Sequence, residues 1–142
     1  MLYSVGYEGR TIEGFCELLT LTGVQELVDV RLTPLSRKPG FSKRRLGDAL
    51  ADVGIGYQHE RELGNPPDNR APFRSSDPSR GRARYRDQLS NGAGPALHHL
   101  IATARERDVV ILCVEADPFH CHRQVITDRA ADLAPDLLTI EL

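Results

Sequence analysis

The sequence predicts a single α/β domain with a Rossmann-like fold, in which a mostly parallel sheet of about five strands carries helices on both faces. Short apolar segments typical of buried strands alternate with segments whose apolar residues recur at the i, i+3, i+4, i+7 spacing of a helix. Such alternation favours parallel strands joined by right-handed crossovers. The length of 142 residues, 40% of them hydrophobic and 27% charged, suits one core, so we expect one domain over residues 1–142.

The first half of the chain predicts two strands and two helices. Residues 2–7 and 25–31 have the composition of short buried strands. Thr11 can act as the N-cap of a first helix, and Ser42 can cap a second helix over residues 43–53. The first helix is expected to pack into the core through apolar positions that include a cysteine, namely Ile12, Phe15, Cys16 and Leu19.

The chain after residue 55 predicts three more strands and two more helices. The expected strands cover residues 56–60, 109–115 and 137–141. One helix is expected over residues 122–133, and another precedes the strand that begins at residue 109. The apolar face of that earlier helix consists of Leu97, Leu100, Ile101 and Ala104. This face leaves His98 and His99 at the surface.

Residues 62–81 are expected to form one long loop and to act as a lid. The segment mixes asparagine, aspartate and serine with Pro66, Pro67, Pro72 and Pro78. Proline removes a backbone donor, and the other residue types favour turns, so neither a strand nor a helix is expected. Loops of this length inside a compact domain are uncommon and are often functional.

Several classes of protein are excluded. The first turn, Gly6-Tyr7-Glu8-Gly9, lacks the full G-x-G-x-x-G spacing, and no P-loop lysine motif occurs, so standard dinucleotide or nucleoside triphosphate cradles are not expected. The first residues carry neither a basic region nor a long apolar run, so no signal peptide and no membrane partner are expected. Three cysteines argue against a disulfide framework, and we expect reduced thiols in a cytoplasmic protein.

Basic residues are concentrated in two short segments, although the net charge is only −2. The first segment contributes Arg31, Arg37, Lys38, Lys43, Arg44 and Arg45. The second contributes Arg70, Arg74, Arg80, Arg82, Arg84 and Arg86. If both segments flank one cleft, they predict an anionic partner. The alternative is that they are two solvated surfaces that face in different directions.

Chemically active side chains follow four of the predicted strands. They are Tyr7, Glu8 and Arg10 after the first strand, Asp29 and Arg31 at the end of the second, His59, Glu60 and Glu62 after the third, and the segment from Cys113 to Arg123 after the fourth. Ligands of parallel sheets bind outside the carboxyl ends of the strands. The sequence therefore predicts one functional site at this edge of the sheet.

Five segments together resemble a known family. They are Gly6 to Thr11, Val28 to Arg31 with Pro34 to Arg37, Pro39 to Phe41, Tyr57 to His59 with Glu62 to Gly64, and Cys113 to Glu115 with Cys121-His122-Arg123. In these segments the chain is similar to the family called domain of unknown function 488, over nearly its whole length. The resemblance implies a Rossmann-like fold and no settled activity.

Cys121 and His122 are catalytic candidates at the predicted start of a helix. The helix dipole and the nearby Arg123 favour the thiolate form of Cys121, which suits a nucleophile or a metal ligand. The alternative is a buried thiol that only packs the helix start. Cys113, by contrast, belongs to the apolar run of a strand and is expected to lie in the core.

Glu115 and His59 are the candidates for proton transfer. Glu115 ends an apolar strand, so it either serves as a general base or pairs with Arg123 or Arg31. His59 ends the third predicted strand and can act as an acid or a base. Asp29 is expected to cap a loop or to pair with an arginine.

No cofactor and no metal ligand are assigned, although zinc remains an open alternative. Residues of zinc-binding types occur at Cys121, His122, His120, His59 and Glu115. No C-x2-C or H-E-x-x-H spacing exists, and adjacent residues at a helix start seldom reach one ion.

The basic and aromatic residues near the strand ends predict a phosphate-bearing ligand, either a nucleotide or a nucleic acid. Guanidinium groups suit bidentate phosphate contacts, and Tyr7, Phe41 and Tyr57 can stack on a base. The expected substrate-binding residues are Tyr7, Arg10, Arg31, Arg37, Lys43, Glu62 and Arg123. The alternative is that these arginines pair internally with carboxylates.

Three functions stay open on the sequence alone. The first is an enzyme that acts on a nucleotide or nucleic acid, with Glu115 or His59 moving a proton. The second is a module that binds nucleic acid or another anion without chemistry. The third is a thiol-based or zinc-dependent enzyme built around Cys121. The oligomeric state is not predicted.

Overall fold

The sheet has five strands, and the computed structural model describes all 142 residues. The strands are β1 (Leu2–Gly6), β2 (Glu26–Asp29), β3 (Gly56–His59), β4 (Val109–Cys113) and β5 (Thr139–Glu141). All of them are parallel, and their order in the sheet is β3-β2-β4-β1-β5. The predicted parallel sheet of about five strands is confirmed. The first four strands end one or two residues earlier than predicted, and β5 begins two residues later.

Six α-helices surround the sheet. They are α1 (Ile12–Thr22), α2 (Lys43–Asp52), α3 (Arg70–Arg74), α4 (Ser79–Ser90), α5 (Gly94–Glu106) and α6 (His122–Leu133). Single turns of 3-10 helix occur at Arg61–Leu63, Pro67–Asn69 and Pro118–His120. None of these helices combines the length and the hydrophobicity that crossing a bilayer requires.

The helices cover both faces of the sheet, as predicted. One hydrophobic cluster joins α1 and α2 to the sheet through residues such as Phe15 and Leu46, and it contains Cys16. The other joins α4, α5 and α6 to the opposite face through residues such as Tyr85 and Ile126. Successive residues of β4 alternate between the two clusters, since neighbouring side chains of a strand point to opposite faces.

Of the two predicted N-caps, the structure contains one. The Thr11 hydroxyl accepts a hydrogen bond from the backbone N–H of Gly14 at 3.1 Å, which confirms the predicted cap of α1. Gly23 ends this helix with φ of 83°, a left-handed conformation that favours glycine. Ser42 precedes α2 but makes no capping bond, because its hydroxyl is hydrogen-bonded to the backbone of Ser36 instead.

Residues 62–81 differ from the expected single loop. The segment contains 3-10 turns, the whole of α3 and the start of α4, and Phe73 is only 2% exposed. The Phe73 ring packs edge-on against Tyr85, whose hydroxyl donates a hydrogen bond to the carbonyl of Leu63 at 2.6 Å. Pro67 and Pro78 lie at the starts of helical segments and Pro72 lies in the first turn of α3, positions that proline tolerates, and burial of Phe73 stabilises the segment. A lid function for this segment stays a prediction.

The carboxyl ends of the strands converge at one edge of the sheet. Gly6 pairs with Cys113, and Asp29 pairs with both Leu112 and His59. The helix after β4 lies on the opposite face from the helices that follow its neighbours β1 and β2. Chains that leave adjacent strands toward opposite faces open a crevice, which is where such sheets bind ligands.

Candidate functional site

A cavity of about 120 Å³ opens at this edge, between the chain that follows β2 and the chain that follows β4. We call it the edge cavity and define it by six of its lining residues: Arg31, Arg70, Arg74, Cys113, Glu115 and His122. Whole drug-sized ligands usually occupy cavities of about 300–1,000 Å³. The edge cavity therefore fits a small anion or the charged end of a larger molecule.

Arg31 reaches the edge cavity from a buried ion pair. Its guanidinium donates two hydrogen bonds to the Asp29 carboxylate, at 2.8 and 2.6 Å, and a third to the carbonyl of Phe41 at 2.7 Å. The Tyr57 hydroxyl donates to the same carboxylate at 2.6 Å. Desolvation would lower the pKa of Arg31, but Asp29 raises it, so this side chain stays charged. Asp29 thus pairs with an arginine, as the sequence predicted.

Cys113, Cys121 and His122 form a buried cluster on one side of the edge cavity. Their sulfur atoms and a ring nitrogen of His122 all lie within 4.8 Å of one another. β4 ends at Cys113, while Cys121 is the residue that precedes α6 and His122 is its first residue. The Cys121 sulfur lies 3.7 Å from Nδ1 of His122. We call these three residues the thiol–imidazole cluster.

The orientation of the His122 ring is set by the backbone of the next strand. Nε2 lies 2.8 Å from the carbonyl oxygen of Val30. A carbonyl only accepts hydrogen bonds, so Nε2 carries a proton and donates it. In the neutral ring, Nδ1 then keeps its lone pair and faces the Cys121 sulfur.

The pKa values of the two thiols in the cluster are shifted in opposite directions. Burial alone would raise the pKa of Cys121, but a hydrogen bond from Cys113 and the charges of His122 and Arg123 lower it well below its ordinary value. The neighbouring Cys121 and burial raise the pKa of Cys113. Cys121 is therefore the more acidic of the two buried thiols.

Glu115 lies at the mouth of the edge cavity, with its side chain 20% exposed. Burial raises the pKa of its carboxyl group, and the negative charge on Cys121 raises it further. Its carboxylate pairs with Arg74 at 3.1 Å, and not with Arg31 or Arg123. Arg74 is 59% exposed, so this pair contributes little stability and can open for a ligand.

Arg123 lies away from the edge cavity, although the sequence proposed it for substrate binding. It is fully buried and donates hydrogen bonds to Ser4 at 2.7 Å, to Glu141 at 2.6 Å and to the carbonyl of Glu115. These bonds join α6 to β1, β5 and the chain after β4. In this arrangement Arg123 positions the backbone that carries Glu115.

The aromatic residues proposed to stack on a base are engaged with the protein. Tyr7 and Phe41 are buried and stack on each other, with ring centroids 4.5 Å apart. The guanidinium carbon of Arg31 lies 5.4 Å from the centroid of the Tyr7 ring. Tyr57 is held by Asp29. These rings therefore support Arg31 rather than lining the edge cavity.

The remaining proposed residues lie around the cavity without lining it. Nε2 of His59 is 2.8 Å from the carbonyl oxygen of Arg31, so His59 braces the chain after β2. Arg10 donates hydrogen bonds to the carbonyls of Gly6 and Leu142. Three others have exposed side chains, namely Arg37, Lys43 and Glu62. Of the expected site residues, the structure brings Arg31, Glu115, His122 and Cys121 together.

Three residues of the site were not selected from the sequence. Arg70 and Arg74 belonged to a basic segment, but the assignment of a loop gave no reason to prefer them over the other arginines in it. Cys113 was assigned to the core, and it is indeed only 7% exposed. The predicted strand ran to residue 115, so nothing in the sequence marked Cys113 as the last residue of β4, level with the end of β1.

Fold and site together describe an α/β domain with a polar cavity outside the carboxyl ends of its strands. Residues 11–130 match the family model described as domain of unknown function DUF488, and the chain belongs to this family. This confirms the resemblance noted from the sequence. Neither a curated protein nor a solved structure matches the chain.

Proposed function

We propose that the protein is an enzyme that acts on a phosphate-bearing substrate, a nucleotide or the end of a nucleic acid, in the edge cavity. The observation that carries this proposal is the convergence of arginines with a carboxylate, an imidazole and a thiol on one cavity. Arginines that face a cavity suit phosphate oxygens, and the other groups are of types that perform proton transfer or attack.

Charge supports an anionic substrate. Arg31, Arg70 and Arg74 face the cavity with Glu115 as the only carboxylate among its lining residues. Asp29 already neutralises Arg31, and Glu115 pairs with Arg74. Arg70 is exposed, so its guanidinium is available to an incoming anion.

The size of the cavity limits how the substrate binds. A volume of about 120 Å³ admits a phosphate group but not a nucleoside as well. The rest of a nucleotide or nucleic acid would lie outside, along the exposed surface of α3 and α4, where further arginines of the second basic segment lie.

Glu115 is the residue proposed to accept a proton during the reaction. It is the carboxylate at the cavity mouth, and Arg74 orients it at 3.1 Å. We expect Glu115→Gln to leave the affinity for the substrate unchanged while it lowers turnover by about 10²–10⁴-fold, the usual contribution of general-base catalysis.

Binding is tested by fluorescence anisotropy with single-stranded and duplex 5′-phosphorylated oligonucleotides at several salt concentrations. Arg70→Ala and Arg74→Ala should each weaken binding by about tenfold and lower the log–log salt slope by about one, since each removes one phosphate contact. Arg44→Ala removes an exposed arginine of α2 that does not line the edge cavity, and it should leave affinity unchanged.

A second candidate function is a non-catalytic anion-binding module. The internal pairing of Arg31 with Asp29 favours it, because a buried ion pair of this kind is often only structural. If the oligonucleotides bind in the Arg70-dependent manner but no nucleotide or nucleic-acid substrate is turned over, the enzyme proposal fails and the module remains.

A further inference from the structure

We infer that Cys113, Cys121 and His122 bind one divalent metal ion of the zinc type, with the fourth ligand position left to the edge cavity. The inference rests on the proposed function only for what the ion would do there. The binding itself needs no substrate.

The geometry of the thiol–imidazole cluster matches a tetrahedral site. Zinc bonds of about 2.3 Å to sulfur and about 2.0 Å to nitrogen place a sulfur and a nitrogen ligand about 3.6 Å apart, and two sulfurs about 3.8 Å apart. The Cys121 sulfur lies 3.7 Å from Nδ1 of His122. All three donor atoms lie within 4.8 Å of one another, so sub-ångström shifts bring them onto one ion.

The hydrogen bond at the far side of His122 is the second supporting observation. Metal-binding histidines usually donate their other ring N–H to a carbonyl or a carboxylate, which fixes the tautomer and the ring orientation. Nε2 of His122 is 2.8 Å from the carbonyl oxygen of Val30, and Nδ1 is left facing the sulfurs. The ring is therefore already oriented as a ligand.

The charge of the proposed ligands is the third supporting observation. Two thiolates and one divalent cation are neutral together, so the bound cluster carries no net charge into its buried position. On binding, the thiol protons and any proton on Nδ1 pass to solvent, and two metal–sulfur bonds and one metal–nitrogen bond form. Thiolate and imidazole ligands select zinc over magnesium or calcium, which prefer oxygen.

The position of the cluster favours a catalytic over a structural ion. Structural zinc sites have four protein ligands, whereas catalytic ones have three and an open position. Cys113 and His122 both line the edge cavity, so the open position is accessible from it. A zinc ion there would supply a Lewis acid and an activated water beside Glu115.

The test uses the full chain, purified without a metal-chelating tag, with Zn²⁺ as the probe. Metal analysis after dialysis against Zn²⁺ should find one ion per chain. Cys113→Ser, Cys121→Ser and His122→Ala should each lower the Zn²⁺ affinity by more than about tenfold. The matched controls are Cys16→Ala, a buried cysteine in the other core cluster, and His120→Ala, a partly exposed histidine next to Cys121. Both should bind Zn²⁺ as the unaltered chain does.

Two measurements on the unaltered chain keep the test informative if a variant fails to fold. Co²⁺ should give the thiolate charge-transfer absorption of a tetrahedral sulfur site, and Zn²⁺ should slow alkylation of Cys113 and Cys121 but not of Cys16. Rapid alkylation of Cys121 at the same rate with and without Zn²⁺ overturns the metal site and favours a thiol nucleophile. Zn²⁺ bound as expected but no turnover overturns the proposed function alone. Turnover in the metal-free chain overturns the catalytic role given to the ion, and failure of the chain to bind Zn²⁺ overturns the metal site itself.

Discussion

At the scale of single residues, the site depends on groups whose orientation is fixed by a hydrogen bond or ion pair with another residue. His122 is held by Val30, Arg31 by Asp29, and the backbone of Glu115 by Arg123. Val30 lies 92 residues before His122 in the chain, whereas Asp29 is two residues from Arg31 and Arg123 is eight from Glu115. The contact that orients His122 is therefore a tertiary one, which motif reading alone does not reveal.

Gly6 shows how closely the strand ends approach each other. A Cβ atom added to Gly6 would lie 1.9 Å from the carbonyl oxygen of Glu115, a backbone atom that cannot move alone. We expect Gly6→Ala to lower the free energy of unfolding by about 3 kcal/mol, at the upper end of overpacking effects. Urea unfolding followed by circular dichroism measures this change.

The control for that substitution is Gly92→Ala. No atom lies within 4 Å of a Cβ added there, and the backbone is not left-handed. This variant should unfold within about 0.5 kcal/mol of the unaltered chain. Equal stability of the two alanine variants would show that β1 and the chain after β4 are not packed as described.

At the scale of secondary-structure elements, α3 decides whether Arg70 and Arg74 reach the cavity. This helix has only five residues and contains a proline, so its own propensity does not form it. Packing of Phe73 on Tyr85 holds it in place. The sequence-based assignment of a loop failed there because burial of one aromatic side chain outweighed the local turn signals.

We expect Phe73→Ala to lower the free energy of unfolding by about 3–5 kcal/mol, as for other buried phenylalanines. The same substitution should weaken binding of phosphorylated oligonucleotides, because α3 carries two of the cavity arginines. Urea unfolding and fluorescence anisotropy measure the two effects.

Leu21→Ala is the comparison for that variant, since Leu21 is 80% exposed on α1, and it should change neither quantity. If Phe73→Ala unfolds like the unaltered chain yet binds ligand more weakly, the segment behaves as a separable lid, and the packing described for α3 does not stabilise the domain.

At the scale of the whole molecule, the alternation of strand and helix patterns was enough to predict the parallel sheet and the edge that carries the site. Arg31 is far along the chain from Glu115 and His122, yet all three line one cavity because parallel strands present their carboxyl ends together. The periodicity of apolar residues locates the strands and helices, and with them the strand ends that meet at this edge.

The order of the strands and the choice among arginines could not be predicted. Several strand orders satisfy the same alternation, and the order β3-β2-β4-β1-β5 depends on which apolar faces fit together. Charge counts also do not separate Arg70, which faces the cavity, from Arg84, which pairs with Asp68 on the surface. Only Arg31 of the first basic segment and Arg70 and Arg74 of the second line the cavity.

We expect an anionic ligand to enter the edge cavity, and a titration of ¹⁵N-labelled protein with adenosine 5′-monophosphate, followed by two-dimensional NMR, tests this binding. The amide shifts should concentrate at residues around the cavity, namely Leu32, Thr33, Asn65, Arg70, Arg74 and Glu115. Shifts confined to the exposed basic surface of α2 at Arg44 and Arg45, or no shifts at any ligand concentration, would contradict it.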